Sequence, residues 1–87
     1  MEQFLKFELS KHATDVIKER NIPVEFIERV IDNPELKESD VTDIELEHYL
    51  SRISEYDNRV LRVIVNKQSV PKRVITAFFD RTMRGKL

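Results

Sequence analysis

The chain of 87 residues contains no cysteine, only one glycine and only three prolines. Without cysteine, disulfide bonds and thiolate metal sites are excluded, and a cytoplasmic location is expected. With so little glycine and proline, no low-complexity linker divides the chain, so one domain over residues 1–87 is expected. No apolar run approaches the roughly 18–20 residues that cross a bilayer, and the first residues lack a signal-peptide pattern, so neither a membrane span nor a secretory leader is predicted.

A large excess of charge of one sign is also missing, because the net charge is −1. The two halves nevertheless differ: residues 1–55 carry 14 acidic and 7 basic side chains, and residues 56–87 carry 2 acidic and 8 basic. If the fold keeps the halves on different faces, the C-terminal face attracts polyanions. The alternative is that the two halves pair with one another and their charges cancel.

The N-terminal part predicts a strand followed by two helices. Alternating apolar residues predict the strand over residues 4–9. Ser10 fits the N-cap of the first helix, which should end near Asn21, a residue that tolerates the left-handed conformation. Pro23 fits the first position of the second helix, and Asn33-Pro34 should end it.

The C-terminal part predicts three strands. Residues 59–66 and 73–79 are rich in β-branched and aromatic residues and are apolar on both faces, which indicates central strands of one sheet. Residues 44–53 fit a helix, through the capping-box pattern Thr42-x-x-Glu45, as well as a strand. The turn residues 56–58 lead straight into the next strand and favour the strand.

These elements follow in the order β-α-α-β-β-β. Residues 35–43 are acidic and poorly periodic and are predicted to form a loop, with at most a short extended piece at Leu36. The last three strands should form an antiparallel meander that the first strand joins. The predicted fold class is α+β, with two N-terminal helices packed on one face of a four-stranded antiparallel sheet. The tail after Asp80 fits either a frayed helix or an extended arm.

Six short motifs lie in order along the chain: Ser10-Lys-His-Ala13, Glu19-Arg20-Asn-Ile22, Val30-Ile31-Asp-Asn-Pro34, His48-Tyr49, Leu61-Arg-Val-Ile-Val65 and Val74-Ile-Thr-Ala-Phe-Phe-Asp-Arg81. In this order the chain resembles small bacterial domains of unknown function grouped with the BrnT, RelE and ParE toxin superfamily. The resemblance implies a RelE/BrnT-like fold and descent from endoribonuclease toxins, with RNA or the ribosome as target and an antitoxin as protein partner. The superfamily also includes gyrase inhibitors and members without a demonstrated activity.

Cleavage of RNA by its own 2′-hydroxyl needs a base, a cation for the charge that develops at phosphorus, and an acid, but no metal or cofactor. His48 is a candidate base or acid, or simply an exposed strand histidine. His12, in the first turn of the first helix, is a candidate too, although a structural clasp between helix and sheet also explains it. Arg62 and Arg81 are candidate phosphate clamps, because a guanidinium donates two parallel hydrogen bonds to a phosphate. The alternative for each arginine is a salt bridge to the acidic half.

The central expectation is that Arg62 and Arg81 converge on one concave, water-facing patch that the helices leave open. Asp80 is expected to orient Arg81. The other basic residues of the C-terminal part are expected to contact the RNA backbone or to form a solvated surface: Arg59, Lys72, Arg73, Arg84 and Lys86.

Two functions therefore remain open from the sequence. The first is a metal-independent endoribonuclease that needs no cofactor. The second, favoured by a pI of about 6.1, is a non-catalytic protein-interaction module with the toxin fold. In that case the acidic helices or a strand edge would bind a partner or a second copy, giving a homodimer.

Overall fold

The structure, a computed structural model, describes residues 7–87. Within that range one mixed sheet of five strands carries two helices. The elements are β1 (Phe7–Leu9), α1 (Lys11–Glu19), α2 (Val24–Asp32), β2 (Leu36–Ser39), β3 (Leu46–Ile53), β4 (Arg59–Asn66) and β5 (Lys72–Phe79). The strand order is β1-β5-β4-β3-β2. Strand β1 runs parallel to β5, and the other neighbours are antiparallel.

Helix α1 begins and ends as its sequence predicts. The Ser10 hydroxyl accepts a hydrogen bond from the Ala13 amide at 3.0 Å, which satisfies one of the free amides of the first turn. After Glu19 the chain leaves the helix through Asn21, whose φ of 53° lies in the left-handed region. The buried residues Ala13, Val16 and Ile17 face the sheet at helical spacing.

Helix α2 begins one residue later than predicted. Pro23 is its N-cap, in extended conformation, rather than its first helical residue. The helix buries Phe26, Ile27 and Val30, and it ends at Asp32, before Asn33-Pro34 as expected.

The main core lies between the helices and one face of the sheet. The sheet contributes Tyr49, Ile53, Leu61, Val63, Val65, Val74 and Ala77, all at most 1 % exposed. Because successive residues of a strand point to opposite faces, His48 on β3 and Arg62 on β4 lie on the face away from the helices. We call this the open face.

The expected four-stranded antiparallel sheet is wrong in two respects. Residues 36–39, predicted as part of a loop, form the edge strand β2, in which Leu36 pairs with Leu50 of β3. The pattern Leu-Lys-Glu-Ser has one apolar residue, so this strand is defined by backbone pairing and not by burial. The first strand joins the sheet as expected, but parallel to β5. Its predicted residues 7–9 are confirmed, and residues 4–6 lie outside the described range.

Strand β3 confirms the strand assignment for the ambiguous segment, although it starts at Leu46 and not at residue 44. Thr42 does not cap a helix. Its amide and hydroxyl donate to Asp40 Oδ2 at 3.1 and 2.9 Å and close a tight turn. After β5 the tail forms a short 3₁₀ helix over Arg81–Met83, which is closer to the predicted frayed helix than to the extended arm. No helix in residues 7–87 combines the length and the apolar character needed to cross a bilayer.

Candidate functional site

Four ionisable side chains form a continuous hydrogen-bonded chain across the open face. Asp40 Oδ1 lies 2.7 Å from His48 Nε2, and His48 Nδ1 lies 2.7 Å from Arg62 Nη1. Arg62 Nε donates to Asp80 Oδ2 at 2.8 Å. Each of the four side chains is between 11 % and 16 % exposed. We call this arrangement the open-face network.

Strand register brings the network together. Leu50 of β3 stands opposite Arg62 of β4, and His48 stands opposite Ile64, so the histidine and the arginine occupy neighbouring positions on one face. Asp40 follows β2 directly, and Asp80 follows β5 directly. The network therefore connects the loop after β2 to the tail after β5 through the two strands between them.

The hydrogen bonds fix the tautomer of His48. A guanidinium only donates, so Nδ1 accepts from Arg62, and the ring proton lies on Nε2 and is donated to Asp40. Asp40 also accepts from Thr42 and from the amide of Asp43. The hydrogen bond from His48, followed by those from Thr42, holds the pKa of the Asp40 carboxyl well below its ordinary value. Asp40 is therefore an anion that orients the imidazole.

Asp80 carries the other end of the network. Its Oδ1 accepts from the Thr82 amide and hydroxyl at 3.0 and 2.6 Å, while its Oδ2 accepts from Arg62. The hydrogen bonds from Thr82 and then from Arg62 lower the pKa of the Asp80 carboxyl. The expectation that Asp80 orients Arg81 is wrong, since its carboxylate holds Arg62 and caps the turn that follows.

A groove of about 520 Å³ opens beside Asp80 at the end of β5. Four arginines, two phenylalanines and one aspartate line it. We call it the arginine groove; its lining residues are Arg20, Arg59, Phe78, Phe79, Asp80, Arg81 and Arg84.

The four arginines of the groove differ in how far they are committed to the fold. Arg20 Nη1 donates to the Ala77 carbonyl at 2.7 Å, which fixes its guanidinium against β5. Arg84 faces Asp57 at 3.7 Å, and both side chains are largely exposed. Arg59 and Arg81 form no ion pair within residues 7–87. Two guanidinium groups of the groove are thus available to an anion.

The structure brings some of the predicted site residues together and separates others. Arg59, Arg81 and Arg84 share the groove. Arg62 does not line the groove and reaches it only through Asp80, which belongs to both the groove and the network. His12 is exposed on α1, in the helical layer, so the sheet separates it from His48.

The remaining predicted RNA contacts lie outside the groove. Lys72 Nζ donates to the hydroxyl of Tyr49 at 2.7 Å and lies over its ring, and burial raises the pKa of that phenol. Arg73 is exposed on β5 opposite Glu8, and Lys86 is exposed in the tail.

Sequence reasoning missed Arg20, Asp40 and the true partner of Asp80. No local pattern marks them, because their partners are 57, 8 and 18 residues away in the chain. Recognition of β2 would have revealed Asp40, since the hairpin of β2 and β3 sets it beside His48.

Across residues 7–87 no group of three or more His, Cys, Asp or Glu side chains is arranged to hold a metal ion. The chemistry of the site is that of cations, one oriented imidazole and two carboxylates. Such groups bind anions and move protons.

Fold and site together define a small α+β protein with a candidate anion-binding groove at one end of its sheet. Residues 9–79 match the family described as Domain of unknown function (DUF4258), and the chain belongs to that family. The match includes Asp40, His48 and Arg62 and ends just before Asp80. No curated protein and no solved structure matches the chain.

Proposed function

We propose that this protein is a relative of the BrnT, RelE and ParE toxins that binds single-stranded RNA in the arginine groove and cleaves it without a metal. One observation carries the proposal: Arg59 and Arg81, which form no ion pair within residues 7–87, line a groove together with Phe78, and this groove shares Asp80 with the His48–Arg62 pair. The toxin kinship comes from the sequence motifs, and the groove supplies the physical argument.

The composition of the groove fits a nucleic-acid strand better than a small anion. Guanidinium groups contact phosphates with paired hydrogen bonds, whereas bases stack on aromatic rings and on guanidinium planes. Arg59 and Arg81 supply the first kind of contact without breaking an ion pair of the fold. Phe78 is partly exposed and supplies the second kind, whereas Phe79 packs against the core and the Tyr56 ring.

The open-face network supports a route to cleavage. In the free protein both ring nitrogens of His48 are occupied, so it cannot act as a base. A phosphate that draws the Arg62 guanidinium toward itself frees Nδ1. Asp40 meanwhile keeps the proton on Nε2, and the imidazole is then correctly oriented to accept a proton at Nδ1.

The reaction would then proceed as an internal transesterification. His48 Nδ1 takes the proton of the 2′-hydroxyl, the 2′ oxygen bonds to phosphorus, and the bond from phosphorus to the 5′ oxygen breaks. The leaving oxygen takes a proton from water, which gives a 2′,3′-cyclic phosphate and a 5′-hydroxyl. Arg62, which the phosphate draws away from His48, stabilises the negative charge at phosphorus, and Arg81 holds the RNA strand in the groove. No role is assigned to His12.

The binding step is tested with a fluorescently labelled single-stranded RNA of ten nucleotides, by anisotropy over a range of salt concentrations. The double variant Arg59→Ala/Arg81→Ala should lose at least about tenfold in affinity at low salt. Its salt dependence should fall by about 1.4 log units per log unit of salt, because each lost phosphate contact in a single strand contributes roughly 0.7.

The matched control is Arg29→Ala/Arg52→Ala, which removes the same charge from two exposed arginines that are paired with Glu55 and Glu35 and do not line the groove. It should retain most of the affinity. An equal loss of RNA affinity in both double variants would show a general charge effect and would contradict RNA binding in the groove.

The cleavage step is tested on the same RNA and on ribosome-bound messenger RNA, with the cyclic phosphate as the diagnostic product. His48→Gln and Asp40→Asn should reduce cleavage by about 10²–10⁴, the usual range of general acid–base help, while RNA affinity stays within about twofold. RNA binding without any cleavage by the wild type would refute the enzymatic part and leave a non-catalytic RNA-binding module.

A further inference from the structure

A second surface lies on the outer edge of β2, at the other end of the strand order from β1 and β5. This strand is the last one in the sheet order, so one of its two backbone edges faces solvent. The Asp40 amide donates to the Leu46 carbonyl at 3.2 Å. By the alternation of an antiparallel pair, Leu36 and Glu38 also bond to β3, and Lys37 and Ser39 direct their backbone groups outward.

The loop that follows β2 holds two apolar side chains in water. Val41 is 96 % exposed and Ile44 is 85 % exposed. The loop is not an open excursion of the chain, because the Asp43 amide donates to Asp40 at 3.0 Å and the Glu45 amide donates to Asp43 at 2.9 Å. The two apolar side chains therefore lie on a loop that hydrogen bonds already order in the free protein. A partner that covers them does not have to order this loop on binding.

The negative charge of this surface restricts which partner can bind to it. Residues 35–47 carry six acidic side chains and one lysine. Pairing of β2 with β2 of a second copy would set like charges opposite one another, which opposes self-association. A strand that carries lysine or arginine meets complementary charge along the same edge.

We propose that the outer edge of β2, together with Val41 and Ile44, docks an extended basic segment of a partner protein. We call this surface the acidic edge. The segment adds to the sheet as a sixth strand beside β2, its backbone bonds to Lys37 and Ser39, and its apolar residues cover Val41 and Ile44. The proposal does not depend on the proposed RNA binding, which is assigned to the groove at the end of β5.

The probe is a ten-residue peptide of alternating lysine and valine, labelled with a fluorophore and titrated with the protein. The key variant is Ser39→Pro, which removes an outward N–H and leaves the bonds to β3 in place, as proline does on edge strands. Ser39→Pro and the double variant Val41→Ser/Ile44→Ser should each weaken peptide binding by about tenfold. Neither variant changes the charge of the protein.

Three controls make the test decisive. Val70 is 97 % exposed in the loop between β4 and β5, so Val70→Ser removes an equivalent apolar side chain elsewhere and should leave binding unchanged. A peptide with glutamate in place of lysine should not bind. Circular dichroism and urea unfolding show that each variant is folded.

Several results would overturn the proposal. They are the absence of saturable binding of the lysine–valine peptide, undiminished binding by Ser39→Pro and by Val41→Ser/Ile44→Ser, and a dimer in sedimentation equilibrium that Ser39→Pro abolishes. The last result would assign the edge to a second copy of the chain.

Discussion

The arginine groove and the acidic edge are two opposite surfaces of one sheet, and they offer different kinds of recognition. In the proposed RNA binding at the groove, side chains supply the contacts, since arginine and phenylalanine residues line it. In the proposed docking at the edge of β2, the backbone supplies the contacts, and acidic and apolar side chains select the partner. A net charge of −1 thus conceals two surfaces of opposite sign.

The ion pairs explain why the opposite charges do not cancel. Within residues 7–87, each ion pair joins two residues of the same half of the chain. Arg29 pairs with Glu55 and Arg52 with Glu35 in the acidic half. Arg62 pairs with Asp80, and Arg84 with Asp57, in the basic half. Of the two alternatives left open by the sequence, these pairs favour separation of charge over mutual pairing of the halves.

Removal of Arg62 should break the connection between the two surfaces and have the largest effect on stability. In Arg62→Ala, Asp80 Oδ2 and His48 Nδ1 each lose the hydrogen bond from Arg62, on side chains that are only 11–16 % exposed. We expect a loss of about 3 kcal/mol in the free energy of unfolding, at the lower end of what truncation of a buried pair costs. Urea denaturation followed by circular dichroism measures it.

Arg52→Ala is the matched control, because it also removes an arginine from an ion pair on a strand, but its side chain is 47 % exposed. It should cost far less than Arg62→Ala, because water screens an exposed ion pair. Similar losses in the free energy of unfolding for the two variants would mean that the open-face network stabilises the fold no more than an exposed ion pair does.

Lowering the pH should reduce the stability that Asp40, in the loop of the acidic edge, contributes to the fold. The pKa of Asp40 is lower in the folded protein than in the unfolded chain, so its carboxylate stabilises the fold above the ordinary value of about 4. This contribution is lost as the pH falls from about 4 through the lower, folded value. Asp40→Asn should therefore be less stable than the wild type at pH 7, and the difference should narrow as the pH is lowered toward 2.

Urea unfolding of both proteins at several pH values checks this prediction. Asp43→Asn serves as a control from the same loop, since its carboxylate accepts one backbone hydrogen bond and has no histidine partner in the described structure. A difference between wild type and Asp40→Asn that stays constant down to pH 2 would show that Asp40 is not the titrating group.

Much of this architecture could be predicted from local patterns. Ser10 and Asn21 bound the first helix because a cap and a left-handed residue are local signals, and the apolar runs of β4 and β5 reflect their central places in the sheet. Strand β2 could not be predicted, because an exposed edge strand buries almost nothing and leaves no hydrophobic period.

The site was harder to predict than the fold for a related reason. The candidate residues Arg59, Arg81 and Arg84 were recognised as basic, but their convergence depends on where β4 starts and β5 ends. The sequence suggests that Asp80 interacts with its neighbour Arg81, whereas the pairing of β4 with β5 places its carboxylate beside Arg62. Partners across a sheet are set by register, which single residues do not encode.

Removal of the Asp57 carboxylate should have the smallest effect of these variants. It should change RNA binding at the arginine groove without changing peptide binding at the acidic edge. Asp57 faces Arg84 at the rim of the arginine groove, and both side chains are largely exposed. Asp57→Ser should raise RNA affinity by about two- to threefold at low salt, because Arg84 becomes available and a repelling charge is lost. Lysine–valine peptide binding at the acidic edge should not change.

The control for this variant is Glu38→Ser, which removes one negative charge from β2, far from the groove in the sheet order. It should weaken peptide binding and leave RNA affinity nearly unchanged. A gain in RNA affinity of the same size in both variants would indicate that only net charge matters.

The most direct test of the central claim is a nuclear magnetic resonance titration of the isotopically labelled protein with a ten-nucleotide single-stranded RNA. We predict that the largest amide shifts occur at the residues around the arginine groove, which include Arg59, Phe78 to Arg81 and Arg84, while the signals of Leu36 to Ser39 stay in place. Shifts confined to residues 36–45, or no saturable shift at the groove at about 50 mM salt, would contradict the assignment of RNA to the groove.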